Sequence, residues 1–192
     1  MSTESTIALE RPDIRVIEIR IRGTAPLICH KWSEKAKKEI LAKQMKKSSP
    51  GREAKDPERD YRESLYVMED GGYGFPAIGF KAAMVRAGTY ADLKMTFLRG
   101  AFHISQEFVR IIGEPSMRED MVRVGMGTAD IRYRGEFRKW EAVLPIVYNA
   151  RAISPEQLVN LLIIAGFSVG IGEWRPEKDG QFGTFAIVEG ES

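Results

Sequence analysis

The sequence predicts an α+β fold with a mainly antiparallel sheet, and three observations carry that reading. Stretches of two-residue alternation and stretches of three- and four-residue spacing follow one another irregularly, without the steady strand-helix rhythm of a parallel sheet. Turn residues join neighbouring apolar runs closely enough for a hairpin. No internal repeat divides the chain, and 192 residues with 43% apolar composition suffice for the core of one domain carrying insertions.

Residues 1–12 are polar and read as a mobile leader. Residues 13–22 place Ile17, Ile19 and Ile21 on one face and Glu18, Arg20 and Arg22 on the other, the pattern of a half-buried strand. Ser33 is a candidate cap for a helix that runs to about Lys47 with few apolar positions, and Ser48-Ser49-Pro50-Gly51 ends it. Residues 52–62 read as an exposed loop, so that 31–62 form a basic insertion. Residues 65–75 predict a hairpin turning at Glu69-Asp70-Gly71-Gly72. Residues 80–93 predict a helix with Phe80, Ala83, Met84 and Ala87 on its core side. Residues 97–112 read as one long or two short strands, with a bulge or bend at Gln106-Glu107. Residues 114–139, with Gly125, Gly127 and Gly135, fit a projecting hairpin or a flexible loop. Residues 141–148 predict a strand in which Pro145 points to an edge or a bulge. Ser154-Pro155-Glu156-Gln157 is a capping box opening the last helix, and residues 184–188 are the final strand.

Cys29 is the single cysteine and has no disulfide partner in the chain, and the first residues, with Glu4 and Glu10, lack a secretory pattern; a reducing cytoplasm is the expected compartment. The longest apolar stretch, residues 158–171, is too short to span a bilayer and holds Gly166 and Gly170, so it reads as a buried helix. Charge is segregated. Residues 31–55 hold nine lysines or arginines against three glutamates, an excess of six in a chain of net charge +2.

Two histidines, one cysteine and no nucleophile-elbow serine leave no familiar catalytic or metal-binding constellation, and no metal or cofactor is expected. His30, in Cys29-His30-Lys31, is a weak candidate for the general acid or base of a metal-independent ribonuclease, with a plain loop histidine as the alternative; His103 reads as a satisfied strand histidine. Lys31, Lys35, Lys38, Lys43, Lys46 and Lys47 are candidates to track phosphates and release counterions. The competing reading is a solvated helix held by Glu34 with Lys38 and Glu39 with Lys43. Arg132, Tyr133, Arg134 and Arg138, beside Phe137 and Trp140, interleave cations and rings as a surface that stacks unpaired bases does, although those rings also suit a core. Gly170, Gly172, Gly180 and Gly183, with Arg175 and Lys178, form a loop whose missing Cβ atoms let backbone amides approach a phosphate, or a wide turn that needs positive φ. The loop lacks the lysine-serine ending of a P-loop and follows a helix, which argues against a nucleoside triphosphate.

Two motifs carry a family resemblance. Gly166, Gly170-Ile171-Gly172 and Gly180-Gln181-Phe182-Gly183-Thr184-Phe185, after Leu158-Val159-Asn160-Leu161-Leu162, resemble the glycine-rich loop of the RAMP superfamily, which includes crRNA-binding backbone subunits of CRISPR effector complexes. Pro76-Ala77-Ile78-Gly79-Phe80-Lys81-Ala82-Ala83-Met84 is similar to that family's Pro-Gly-Ser-Ser-Leu-Lys-Gly-Ala-Leu. Here Ile78 and Gly79 replace small hydroxyl residues, Ala82 replaces glycine, and Arg86 lies one position past the usual basic residue. The resemblance implies a ferredoxin-like (RRM-like) fold with helices on one face, inserted segments at 31–62 and 114–139, and Lys81 and Arg86 near the ligand. It implies a non-catalytic subunit that assembles side by side, as a homo-oligomer or filament, along single-stranded RNA. The chain is also similar in general style to small proteins of bacteriophage replication regions, which keeps single-stranded DNA as a second ligand. An endoribonuclease using His30, and an interaction protein without a nucleic-acid ligand, are the other readings.

Overall fold

The opening alternation forms β1 (Ile14–Gly23), with Ile19 and Ile21 buried and Glu18, Arg20 and Arg22 facing water in the computed structural model, which describes residues 11–32, 34–45, 55–124 and 127–188. Next come the fully buried β2 (Leu27–Cys29) and α1 (Glu34–Gln44). Ser33 and the turn expected at 48–51 lie outside the described residues.

The segment after that departs from expectation. The second half of the loop anticipated at 52–62 is a helix, α2 (Pro57–Ser64). Asp56 caps it by accepting a 3.0 Å hydrogen bond from the Arg59 N–H, Pro57 sits in its first turn, and Glu58 and Asp60 complement the amino end of its dipole. The hairpin that follows is β3 (Tyr66–Val67) and β4 (Tyr73–Pro76), running directly into α3 (Ala77–Ala87), which buries Phe80, Ala83, Met84 and Ala87. Residues 88–93 leave the α-helix, beginning with a 3-10 turn at Gly88–Tyr90. The start of the region expected to be strand is α4 (Met95–Ala101), a correction with a visible cause: Met95, Leu98 and Ala101 turn to the core at three-residue spacing. The chain bends between β5 (Phe102–Ile104) and β6 (Phe108–Ile111), as anticipated near Gln106-Glu107, because the two strands belong to different sheets.

β7 (Pro115–Val124) and β8 (Thr128–Phe137) form a long antiparallel hairpin, resolving the choice left open for 114–139. β9 (Glu141–Asn149), α5 (Pro155–Ile164) and β10 (Phe185–Ile187) complete the chain. Both hydrogen bonds of the Ser154–Gln157 capping box are present.

Among the described residues all strand pairings are antiparallel, and the strands group as β10-β1-β9-β5, β2-β8-β7 and β3-β4-β6. β9 is a central strand, which corrects the edge expected from Pro145. The Pro145 carbonyl accepts from Ser105, just past the end of β5, so the side of the proline that lacks an N–H faces the place where the neighbour stops. In the four-stranded sheet Ile19 and Ile21 share a face with Ala142, Leu144, Ile146 and Phe102, and α3 and α5 pack over that face through Phe80, Met84, Leu158, Leu161 and Leu162. None of the described helices is long and apolar enough to cross a membrane.

Candidate nucleic-acid interface

α5 ends in a π-turn, Ala165–Val169, closed by the Gly170 N–H donating to the Ala165 carbonyl at 2.8 Å. The chain then doubles back over β2. Glu173 N–H donates to Ile28 O at 3.1 Å, Ile171 N–H to Gly183 O at 3.0 Å and Gly183 N–H to Pro26 O at 2.8 Å. Gly183 has φ +66°, and a Cβ there would lie 1.7 Å from the Ile171 carbonyl oxygen; at Gly180 it would lie 1.7 Å from that of Trp174. The amides of Gly170, Ile171, Gly180 and Phe182 are bonded within the loop and the turn before it, and those of Glu173 and Gly183 to the β2 segment. These glycines let the loop close on itself, and most of its amides face the protein rather than a phosphate.

Between this loop and α3 lies a cleft of about 280 Å³. Gly79, Ala82 and Ala83 of α3 leave the space open, while Phe75, Tyr66, Val169 and Ile171 supply apolar walls. Gly170, Gly172, Arg175, Arg86 and His30 all reach this cleft, so five of the residues singled out from sequence converge. Two carboxylates join them. Glu177 is held by Arg175, whose Nε donates to it at 2.9 Å, and Arg86 Nη1 lies 2.6 Å from its Oε1. His30 Nδ1 lies 3.4 Å from Glu173 Oε1, and that hydrogen bond, aided by the charges of Arg134 and Arg132, outweighs burial and keeps the Glu173 carboxyl below its ordinary pKa.

The hairpin cations are placed differently. Arg134, 2% exposed, has Nη1 3.1 Å from Asp120 Oδ2 and its guanidinium 4.8 Å from the Trp174 ring. Arg118 donates to Asp120 at 2.9 Å and Glu136 at 2.7 Å and stacks on Phe182. The glycine loop, through Trp174 and Phe182, therefore covers the charged face of the hairpin. Arg134 is withdrawn from any strand in solution, a correction to its reading as a phosphate contact. Arg138 is exposed but donates to Glu136 at 3.0 Å, Arg132 lies 3.7 Å from Asp130, and Tyr133 is partly buried with a hydrogen bond to Glu119. Phe137 and Trp140 are core residues, the latter donating from Nε1 to Ala25 O at 2.9 Å, so their rings are closed to bases. Gly135, one of the three glycines of the segment expected to be a hairpin or a loop, lies within β8, where a Cβ would meet Leu65 at 2.1 Å.

Lys81 leaves α3 on the side away from the glycine loop. It lines a separate cleft of about 500 Å³ with His103, and it donates to the Arg99 carbonyl at 3.0 Å and lies 2.9 Å from His103 Nδ1. An ammonium only donates, so Nδ1 accepts and the ring proton sits on Nε2. Burial lowers the Lys81 pKa. Lys31 is half-exposed after β2, Lys38 is exposed on α1 and Lys178 is exposed in the loop. The side chains of Lys35 and Lys43, and residues Lys46 and Lys47, lie outside what the structure describes.

Glu173 and Glu177 escaped the sequence reading, and so did an exposed ring. Trp32, 63% exposed, follows His30 and Lys31 at the end of β2. Its place in Lys31-Trp32 was the available signal, a ring beside a cation where the strand stops. By contrast, the outer face of the four-stranded sheet offers Val16, Val143 and Val147, with no aromatic side chain in the β1 and β9 positions of that face. Bases stacked on sheet aromatics, as RNA-recognition sheets hold them, have no counterpart there.

The fold defines an antiparallel α+β protein with a glycine loop clasped against its first helix-over-sheet layer. No family model and no curated protein matches the chain. Among solved structures, one chain of the cryo-EM structure of the Type III-B Cmr-beta bound to cognate target RNA shares the fold, with TM-score 0.54 and 10% identity over 92% of this chain. This chain spans 59% of the length of that one. The crystal structure of Cmr6 from Pyrococcus furiosus aligns over 92% of this chain and 99% of its own, at 10% identity and TM-score 0.48.

Proposed function

We propose that this chain is a RAMP-type, ferredoxin-like subunit that binds single-stranded RNA without cleaving it and assembles side by side along the strand. The observation that carries the reading is the meeting of the α3 motif and the glycine loop, distant in sequence, at one cleft containing Arg86, Arg175 and His30. The strand order β10-β1-β9-β5, with α3 and α5 packed over one face, supports the ferredoxin-like assignment. The shared fold with a chain of a complex described as bound to target RNA favours RNA over DNA. Residues 31–62 and 114–139 are then insertions on that domain. The first supplies exposed cations, and the second is braced by the glycine loop rather than free to clamp. Exposed Trp32 stacks on an unpaired base, a contact worth about 1–3 kcal/mol per base.

The test is binding of labelled single-stranded RNA, single-stranded DNA and duplex at increasing salt. Affinity for single-stranded RNA falls steeply with salt, and the complex grows with strand length. Tighter binding of DNA would reassign the ligand, and no binding of any strand at low salt would sink the proposal. Replacing Lys35, Lys38, Lys43, Lys46 and Lys47 with glutamine lowers affinity to a similar degree for all sequences; unchanged affinity would remove that segment from the interface.

One observation favours a second reading. His30 is paired with Glu173 inside a cleft that also holds Arg86, an arrangement able to move a proton beside a phosphodiester. Metal-free cleavage of RNA that disappears in His30→Ala would establish a ribonuclease instead.

A further inference from the structure

We propose that the cleft between α3 and the glycine loop holds a single splayed guanine base, while the phosphates of the strand stay outside it. The inference rests on the single-strand-binding reading and names what that site takes.

A phosphate cradle needs net positive charge or a set of free amides, and this cleft has no excess of positive charge and few amides left over. Arg86 and Arg175 are balanced by Glu173 and Glu177, and the loop's amides are largely bonded to its own backbone. A phosphate entering it would meet two carboxylates. Cations instead flank it: half-exposed Lys31 and exposed Lys178 are each next in sequence to a lining residue.

The interior suits a flat heterocycle. Its volume of about 280 Å³ lies near the lower end of the ~300–1,000 Å³ usual for small-molecule sites, room for one base and not for a strand. Apolar walls from Phe75, Val169 and Ile171 match the ring faces. The polar groups then select among bases. Glu173 is more than a third exposed and its second oxygen, 4.0 Å from Arg134, is only loosely held. A carboxylate wants two adjacent donors, and guanine alone offers them, N1–H beside the 2-amino group. Adenine and cytosine present one donor there, and uracil flanks its N3–H with two carbonyls that a carboxylate repels. On the opposite edge, O6 and N7 of guanine are two acceptors that match a guanidinium fork. Arg86 is more than half exposed and is anchored by Glu177 through Nη1.

The experiment measures binding of oligouridine strands that carry one central guanine, adenine, cytosine or hypoxanthine. Guanine binds roughly tenfold or more tighter than the others, with hypoxanthine, which lacks the 2-amino group, in between. Glu173→Gln and Arg86→Gln each move the guanine-to-uracil ratio toward one. Ala82→Phe, which fills the cleft without changing charge, does the same, with circular dichroism verifying that each variant folds. Strands bound equally well whatever the central base would overturn the guanine site and leave the single-strand-binding reading standing. Failure of any strand to bind overturns both.

Discussion

β1 and the β7–β8 hairpin carry the same written pattern, arginines and carboxylates on one face of a strand, and the fold uses them in opposite ways. On β1, Arg20 and Arg22 reach Glu141 at 3.1 and 2.7 Å with more than half of each arginine in water. On the hairpin, Arg134, Asp120 and Glu136 are buried, with Trp174 and Phe182 covering the face. Alternation defines which residues share a face. It does not define whether water or another element meets that face, and the energetic meaning of each ion pair follows from the second question. An exposed pair is worth little because water already solvates both charges, whereas removing one partner of a buried pair strands the other.

The sharpest way to break this contrast is Arg134→Ala. It takes a buried guanidinium from Asp120, which keeps Arg118, and from Glu173, which keeps His30, and the expected loss of stability in urea denaturation exceeds that of an exposed pair and reaches at most about 3–5 kcal/mol. A loss no larger than that of an exposed pair would mean the hairpin face is as wet as β1. Gly183→Ala attacks the cover instead. The left-handed backbone alone costs about 1–3 kcal/mol for a residue with a side chain, before the clash with Ile171 O. Thermal unfolding of that variant measures how firmly the loop holds the face.

Acid distinguishes the two regions within one protein. Burial pushes the Glu136 pKa up, but hydrogen bonds from Arg118 and Arg138 outweigh it and leave the carboxyl below its ordinary value. A carboxyl more acidic folded than unfolded contributes stability that is complete above the ordinary carboxylate range and lost as pH falls through the lower folded value. Urea midpoints followed downward from neutral pH therefore decline in that window, and Glu136→Gln flattens the decline. The smallest effect belongs to β1: Arg22→Ala shifts stability by about 0.2–1 kcal/mol, and a larger loss in urea would show that the outer sheet face is covered in solution.

Legibility follows the same division. Ser154-Pro155-Glu156-Gln157 announced α5 because a capping box is satisfied by residues three positions apart. Asp56-Pro57 carried a comparable signal for α2, hidden by the surrounding charge. Met95, Leu98 and Ala101 marked α4 by spacing, while the aromatic and branched residues after them pulled the reading toward strand. At the candidate site, Arg86, Arg175, His30, Gly170 and Gly172 were named from motifs and do meet; Lys81, named from the same motif as Arg86, faces the other side of α3.

By itself the sequence determined the pieces whose causes are local: the inward face of β1, the capped start of α5, the turn before β4 and the positive-φ glycines of the loop. Tertiary structure alone decided that Trp174 and Phe182 lie over the hairpin arginines, that Glu173 and Glu177 share a cleft with Arg86, and that Pro145 sits in a central strand. Local signals act through bonds within a few residues, so they can be read along the chain. Burial of a charge depends on which distant segment arrives over it, and no spacing within the segment records that.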